Sequence, residues 1–196
     1  QGHAAAGRQR CGRGGGDVVV SPAWTFHDHW NKDTTPAIWI DGYDNGYNPN
    51  VNINEPMPNA EPSEEIKKPA ASGQRTLGLA RPIPNEAPFP LPPVRYPWAD
   101  TRAALTALRD NGEGDPCDGI MIMLASPVDG GPTLPTIAWQ AQLLTRKQKT
   151  LPHRHNSTTF YFAFEGEGAV VIENERLQYG QGDIFAVPAW TWHHHD

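Results

Sequence analysis

Fifteen residues of this chain occur twice. Gly16 to Trp30 reads GDVVVSPAWTFHDHW and Gly182 to Asp196 reads GDIFAVPAWTWHHHD, with identity at Gly16/Gly182, Asp17/Asp183, Pro22/Pro188, Ala23/Ala189, Trp24/Trp190, Thr25/Thr191, His27/His193 and His29/His195. Each copy is a Gly-Asp turn, a short β-branched or aromatic run, a proline break and a second run ending in histidines, the pattern of a strand pair at a corner. Two copies within 196 residues favour two modules over one large domain.

Composition narrows the partners. A hydrophobic content of 38% with seven Trp supports a packed core, while a mean hydropathy of -0.58 and no long apolar run argue against a membrane span and for a soluble protein. A net charge of -6 without a Lys/Arg cluster argues against nucleic acid or an anionic membrane as partner and leaves a small molecule. Cys11 and Cys117 are isolated, so no disulfide framework is expected and a reducing cytoplasm is the default compartment. The chain begins at Gln1, and residues 1 to 16 lack the apolar centre of a signal peptide, which reads as a piece of a longer protein.

Strands are expected at Val18 to Val20, Trp24 to His29 and Ala37 to Ile40. From Tyr43 to Pro97 the chain is rich in Asn and Pro, ending in PIPNEAPFPLPPVRYP; fixed φ and missing donors predict extended connection rather than sheet interior. One helix is predicted over 101 to 109, N-capped by Asp100. Strand patterns return at Gly119 to Leu124, Thr136 to Thr145, Thr158 to Phe164, Gly168 to Glu173, Ile184 to Val187 and Trp190 to His195. Punctuating turns give the spacing of an antiparallel barrel or sandwich. The sequence therefore reads as all-β with a Pro-rich connection and one short helix. EGEG at 165 to 168 reads as a hairpin turn, and Trp24 and Trp190 as core or cavity-wall aromatics.

Seven of the eight histidines fall in three places, His27/His29, His153/His155 and His193/His194/His195. Alternate residues of a strand share a face, so His153 and His155 can point together while Arg154 points away. A neighbouring antiparallel strand can add His193, and three nitrogens on one side of a metal ion leave its other side open, as in catalytic sites. The match to His27 and His29 marks His193 and His195 as native positions rather than a purification tag. Solvated or core histidines are the bland alternative for any one HxH pair.

HRH at 153 to 155, EGEG, and GDIFAVPAWTWHHH at 182 to 195 together resemble a cupin, a double-stranded β-helix or jelly roll. More narrowly, these segments with GDVVVSPAWTFHDHWN, PAIWIDGYD at 36 to 44, YPW at 96 to 98 and GGPTLPT at 130 to 136 resemble the two halves of bicupin ring-cleaving dioxygenases of the gentisate 1,2-dioxygenase group, which includes salicylate and 1-hydroxy-2-naphthoate dioxygenases. The resemblance implies a bicupin fragment: residues 1–42 as the rear of a first cupin, 43–117 as the connection, and 118–196 as a second cupin truncated at its C-terminal end. It implies Fe(II) in the first cupin, with His27 as one of three ligands and the other two before Gln1. His29 would be a proton-moving histidine beside that centre and Asp41 the acid that orients it. In the second cupin, His153, His155 and His193 permit another metal site. The group also implies a small aromatic acid and O2 as substrates and a homotetramer.

Many metal cupins place a Glu four or five residues after HxH, where this chain has Thr159 and Phe160. An all-imidazole site leaves the ion's +2 charge for exogenous ligands, which favours a bidentate anion such as an ortho-hydroxy aromatic acid. The expected reaction of the parent protein is cleavage of gentisate to maleylpyruvate, with His29 accepting and returning the phenolic proton; this chain by itself, with one of the three first-cupin ligands, is expected to be inactive. Two alternatives stay open: a non-catalytic cupin segment serving scaffold and assembly, and another metal cupin of oxalate or sugar-isomerase type, against which the missing Glu counts.

Overall fold

The computed structural model describes residues 15–21, 29, 31, 33–43, 94–127 and 129–196. Of the strand expected over Trp24 to His29, only His29 is among the described residues; Trp24 and His27 lie outside them, as does most of the Pro-rich interval. The chain divides into two units, Gln1–Tyr96 with Ala125–Trp139, and Pro97–Leu124 with Gln140–Asp196.

In the first unit, Val18–Val20 (β1) pairs antiparallel with Val94–Tyr96 (β2), Val19 facing Arg95. Three consecutive valines before the proline break make β1. Strand β2 falls inside the interval expected to stay out of sheets, which is a correction: between Pro93 and Pro97 stand three residues with free N–H groups, enough for a short ladder. Val20 and Val94 are buried, and Arg95 Nη2 lies 2.8 Å from the nearly buried Asp17 carboxylate. A buried carboxylate needs such a partner, so the Asp of the first Gly-Asp turn ties β1 to β2. Tyr96 donates its hydroxyl to Ala125 O at 2.8 Å. Residues 37–40 form no strand, contrary to expectation; Ile38, Trp39 and Ile40 are exposed. An apolar run makes a strand only where a partner takes its hydrogen bonds.

The second unit opens with the helix Trp98–Asp110 (α1). It starts before the predicted Thr101 because Pro97, in an extended conformation, occupies the N-cap, while Asp100 sits in the first turn, where a negative charge suits the helix dipole. Leu105 is the residue of α1 buried in the core, and Trp98 packs edge-on against Phe164 at 4.6 Å. Ile120–Met123 (β3) pairs with Gln140–Leu143 (β4); β4 is shorter than the expected 136–145, residues 133–136 being bends.

Thr159–Phe162 (β5) pairs antiparallel with Ile184–Val187 (β8). Gly168–Ile172 (β6) lies between Glu175–Tyr179 (β7) and His193–His195 (β9). Strand β7, ERLQY, was not anticipated: its residues are mostly exposed and give no apolar alternation. EGEG is not a hairpin turn, since it leads from β5 in one sheet to β6 in another; the hairpin is at Glu173-Asn174, joining β6 to β7. The core of this unit is Leu105, Ile120, Leu124, Ala169, Val170 and Val187.

The repeat is structural as well as textual. Gly16 has φ +83° and Gly182 +93°, a region open to glycine at little cost, and each is followed by Asp and then a strand, β1 or β8. Asp183 accepts the Gly180 amide at 2.8 Å, closing the second copy's turn.

Candidate metal centre

Strand β9 and the segment 150–153 run antiparallel. Thr150 N donates to His195 O (3.0 Å), His153 N to His193 O (3.0 Å) and His193 N to His153 O (2.9 Å). On its other side β9 is paired with β6, Ile172 facing His193. His193 is thus fixed from both flanks. Strand alternation turns His193 and His195 inward, both almost fully buried, and His194 the other way. His155 is held by its own carbonyl, which accepts the Trp190 amide at 2.7 Å.

Trp190 is exposed rather than a cavity wall as expected. Its φ of +64° turns the side chain outward, where it and Trp192 flank the Arg154 guanidinium at 5.0 and 4.8 Å.

His153, His155 and His193 converge as expected: one ligand atom from each lies within 4.8 Å of the others. Three nitrogens about 2.1 Å from one ion lie up to roughly 4 Å apart, so the triad fits an ion with small side-chain adjustment. The tautomers also fit. Nδ1 of His153 faces Leu151 O (3.3 Å), Nδ1 of His155 faces Ser157 O (2.8 Å) and Nδ1 of His193 faces Thr191 O (3.1 Å). A carbonyl only accepts, so the proton sits on Nδ1 and the Nε2 lone pair remains for a metal. Nε2 of His153 and of His193 are buried without a hydrogen-bond partner, a costly state that a bound cation relieves.

Burial lowers the His193 pKa and its two imidazole neighbours push the same way, opposed by the Thr191 carbonyl and Asp118; the neutral, ligating form is favoured. Burial pushes the Tyr161 hydroxyl up to about 12, with Asp118 and Tyr179 adding to the rise, so it stays protonated at neutral pH. Thr159, at the position where a cupin Glu was sought, lies beside His155 Nε2 at 3.5 Å. A carboxylate nevertheless reaches one ring of the triad: Asp118 Oδ1 is 3.2 Å from His153 Nε2, while the group with mutual ligand distances within 4.8 Å consists of the three histidines. No motif spacing announced it, because Asp118 comes from the turn before β3, far from HRH in sequence.

In the first unit, the Trp39 indole N–H donates to Asp41 Oδ2 at 3.2 Å and its ring stacks on His29 at 5.0 Å. Trp39, which drew no attention as a site residue, therefore touches both His29 and Asp41. His27 lies outside the described residues.

Residues 142–196 match the Cupin domain family. The chain is 39% identical over 184 residues to a 5-aminosalicylate 1,2-dioxygenase of Comamonas sp, covering 91% of this chain and 48% of that protein. It is 33% identical to a gentisate 1,2-dioxygenase of Haloferax sp, covering 92% and 54%. Over about nine-tenths of its length the chain is similar to dioxygenases of the gentisate 1,2-dioxygenase group. A 1-hydroxy-2-naphthoate dioxygenase of Nocardioides sp. (strain KP7) is 30% identical over 89% of the chain and 45% of the relative. The chain thus spans about half the length of the curated relatives it matches. The fold agrees: a salicylate 1,2-dioxygenase variant of Pseudoaminobacter salicylatoxidans superposes with a TM-score of 0.51 at 24% identity, covering 69% of this chain and 41% of that one. Among the described residues, no helix is long and apolar enough to cross a membrane.

Proposed function

We propose that the parent protein of this chain is an Fe(II)-dependent, extradiol-type ring-cleaving dioxygenase acting on gentisate, which it converts with O2 to maleylpyruvate, or on a related aromatic acid with an ortho hydroxyl. The observation that carries the metal dependence is the convergence of His153, His155 and His193 with each Nδ1 turned to a backbone carbonyl. The substrate class is supported by the relatives, whose names are those of dioxygenases of gentisate, 5-aminosalicylate and 1-hydroxy-2-naphthoate. Bound Fe(II) would supply redox chemistry with O2 and a template for a bidentate acid.

The chain's own residues have separable tasks in this reading. His153, His155 and His193 hold an ion in the second cupin, residues 118–196. In the first cupin, whose rear part is residues 1–42, His27 is a ligand and His29 accepts the substrate's phenolic proton on a ring nitrogen. Asp41 acts through Trp39, whose indole it accepts from and whose ring lies against His29. Homotetramer assembly and a cytoplasmic location belong to the same proposal.

The test is O2 uptake by the Fe(II)-reconstituted full-length parent protein with gentisate, salicylate and 1-hydroxy-2-naphthoate, with product identified by mass, since the chain alone is expected to be inactive. Consumption of one acid with ring-cleaved product supports the reading. No uptake with any of them by protein shown to hold iron overturns it.

A further inference from the structure

We propose that Asp118 is a fourth protein ligand of the metal centre at His153, His155 and His193, so that its carboxylate comes from the turn before β3 instead of from strand β5. The inference rests on the reading of the triad as a metal site.

Asp118 brings a carboxylate next to the ligand atom of His153. Asp118 Oδ1 and His153 Nε2 are 3.2 Å apart, yet Nε2 has no hydrogen-bond partner. The same ring's Nδ1 faces a carbonyl, which places the proton there. With the proton on Nδ1, Nε2 and the carboxylate are two neighbouring donor atoms that a cation beside both would join. Two donors about 2.1 Å from an ion and at roughly right angles are about 3 Å apart, matching this separation.

The turn is built to hold the carboxylate there. Asp115 and Gly119 exchange backbone hydrogen bonds of 2.7 Å in both directions, and Asp115 Oδ1 accepts the amides of Cys117 (2.6 Å) and Asp118 (3.1 Å). Gln142 Nε2 of β4 donates to the Asp118 carbonyl at 2.6 Å. Leu151 N donates to Pro116 O at 2.8 Å, which fastens the turn to the segment carrying His153. Gly119 has φ +71°, and a Cβ there would stand 2.7 Å from Leu144 Cδ2, so the turn is tailored to glycine next to Asp118.

Three imidazoles and one carboxylate would leave the ion a net charge of about +1 and fewer open positions, reducing the demand for a dianionic ligand. Strand β5 lacks the motif Glu, and Asp118 takes over its electrostatic task from another part of the chain.

The test loads the metal-free protein with Co(II), measures affinity by chelator competition and records the visible d–d spectrum, for wild type, Asp118→Asn and His153→Ala. Circular dichroism checks that each variant is folded, and Asn is isosteric with Asp. We expect Asp118→Asn to weaken Co(II) binding by at least about 10-fold and to shift the d–d bands, with Asp118→Glu restoring part of the affinity. Asp118→Asn binding within twofold of wild type with an unchanged spectrum, while His153→Ala abolishes binding, overturns the role of Asp118 and leaves the triad standing. Absence of Co(II) binding by wild type, or binding indifferent to His153→Ala, removes the triad and Asp118 with it.

Discussion

His153 and His193 face each other across a single antiparallel bridge, each amide donating to the other's carbonyl and the two rings 4.2 Å apart between centroids. The backbone thereby sets the distance between these two rings of the candidate metal centre. Preorganisation of this kind spares the ordering cost of assembling a site.

Truncating one ligand should therefore separate affinity from folding. His193→Gln is expected to lower Fe(II) or Co(II) affinity by more than about 100-fold, beyond what loss of an outer-shell partner costs. It should retain the wild-type circular dichroism, since the bridge is made by backbone. Chelator competition with parallel thermal melts checks both halves; unchanged affinity would exclude His193 as a ligand.

His195, matching His29 in the repeat, is buried among Tyr161, Tyr179 and Phe185, and neither ring nitrogen has a partner. Burial holds its pKa down at about 4, with repulsion from neighbouring imidazoles adding to the drop. The unfolded imidazole takes up its proton near 6.5. The stabilising effect of the neutral ring is thus complete above pH 6.5 and is lost as pH falls from there towards 4, by up to about 3 kcal/mol in all; His193 shifts in the same direction. Urea unfolding of the metal-free protein at pH 7.5 and 5.0 should show the loss, and His195→Phe should flatten it. An equal pH slope in that variant would contradict the assignment.

Gly119 and Gly112 both adopt positive φ, +71° and +73°, but a Cβ at Gly119 would meet Leu144 while one at Gly112 would meet nothing within 4 Å. Gly112→Ala should cost only the backbone term, about 1 kcal/mol, and Gly119→Ala roughly 2 to 4 kcal/mol because overpacking is added. Melting temperatures of the pair measure the difference; equal shifts would show that Leu144 yields freely.

Arg154, between His153 and His155 in sequence, lies against the rings of Trp190 and Trp192. Arg154→Ala is expected to cost about 0.5 to 1 kcal/mol, the range for exposed cation–π contacts, and to change tryptophan fluorescence. Metal affinity should stay within twofold. A large fall in affinity would mean that the stack positions His155 through the Trp190 amide.

The sequence by itself determined the repeat, the all-β character, the Gly-Asp turns at Gly16 and Gly182 and the His153/His155/His193 triad. All of these rest on local rules, alternation along a strand and glycine's tolerance of positive φ, which a short window contains. It also led to the cupin group, because those local features recur at fixed separations. Tertiary structure decided what depends on partners distant in sequence. Residues 37–40 form no strand although their apolar run suggested one, and Val94–Tyr96 does, because ladder hydrogen bonds require a neighbour that the sequence does not announce. Strand β7 was hidden for the converse reason, its mostly exposed side chains leaving only backbone pairing with β6 to define it. Trp190 faces outward because one positive φ outweighs hydrophobicity. Asp118 stands beside His153 because the turn before β3 is fastened by hydrogen bonds to β4 and to the segment before HRH, contacts that only folding brings together.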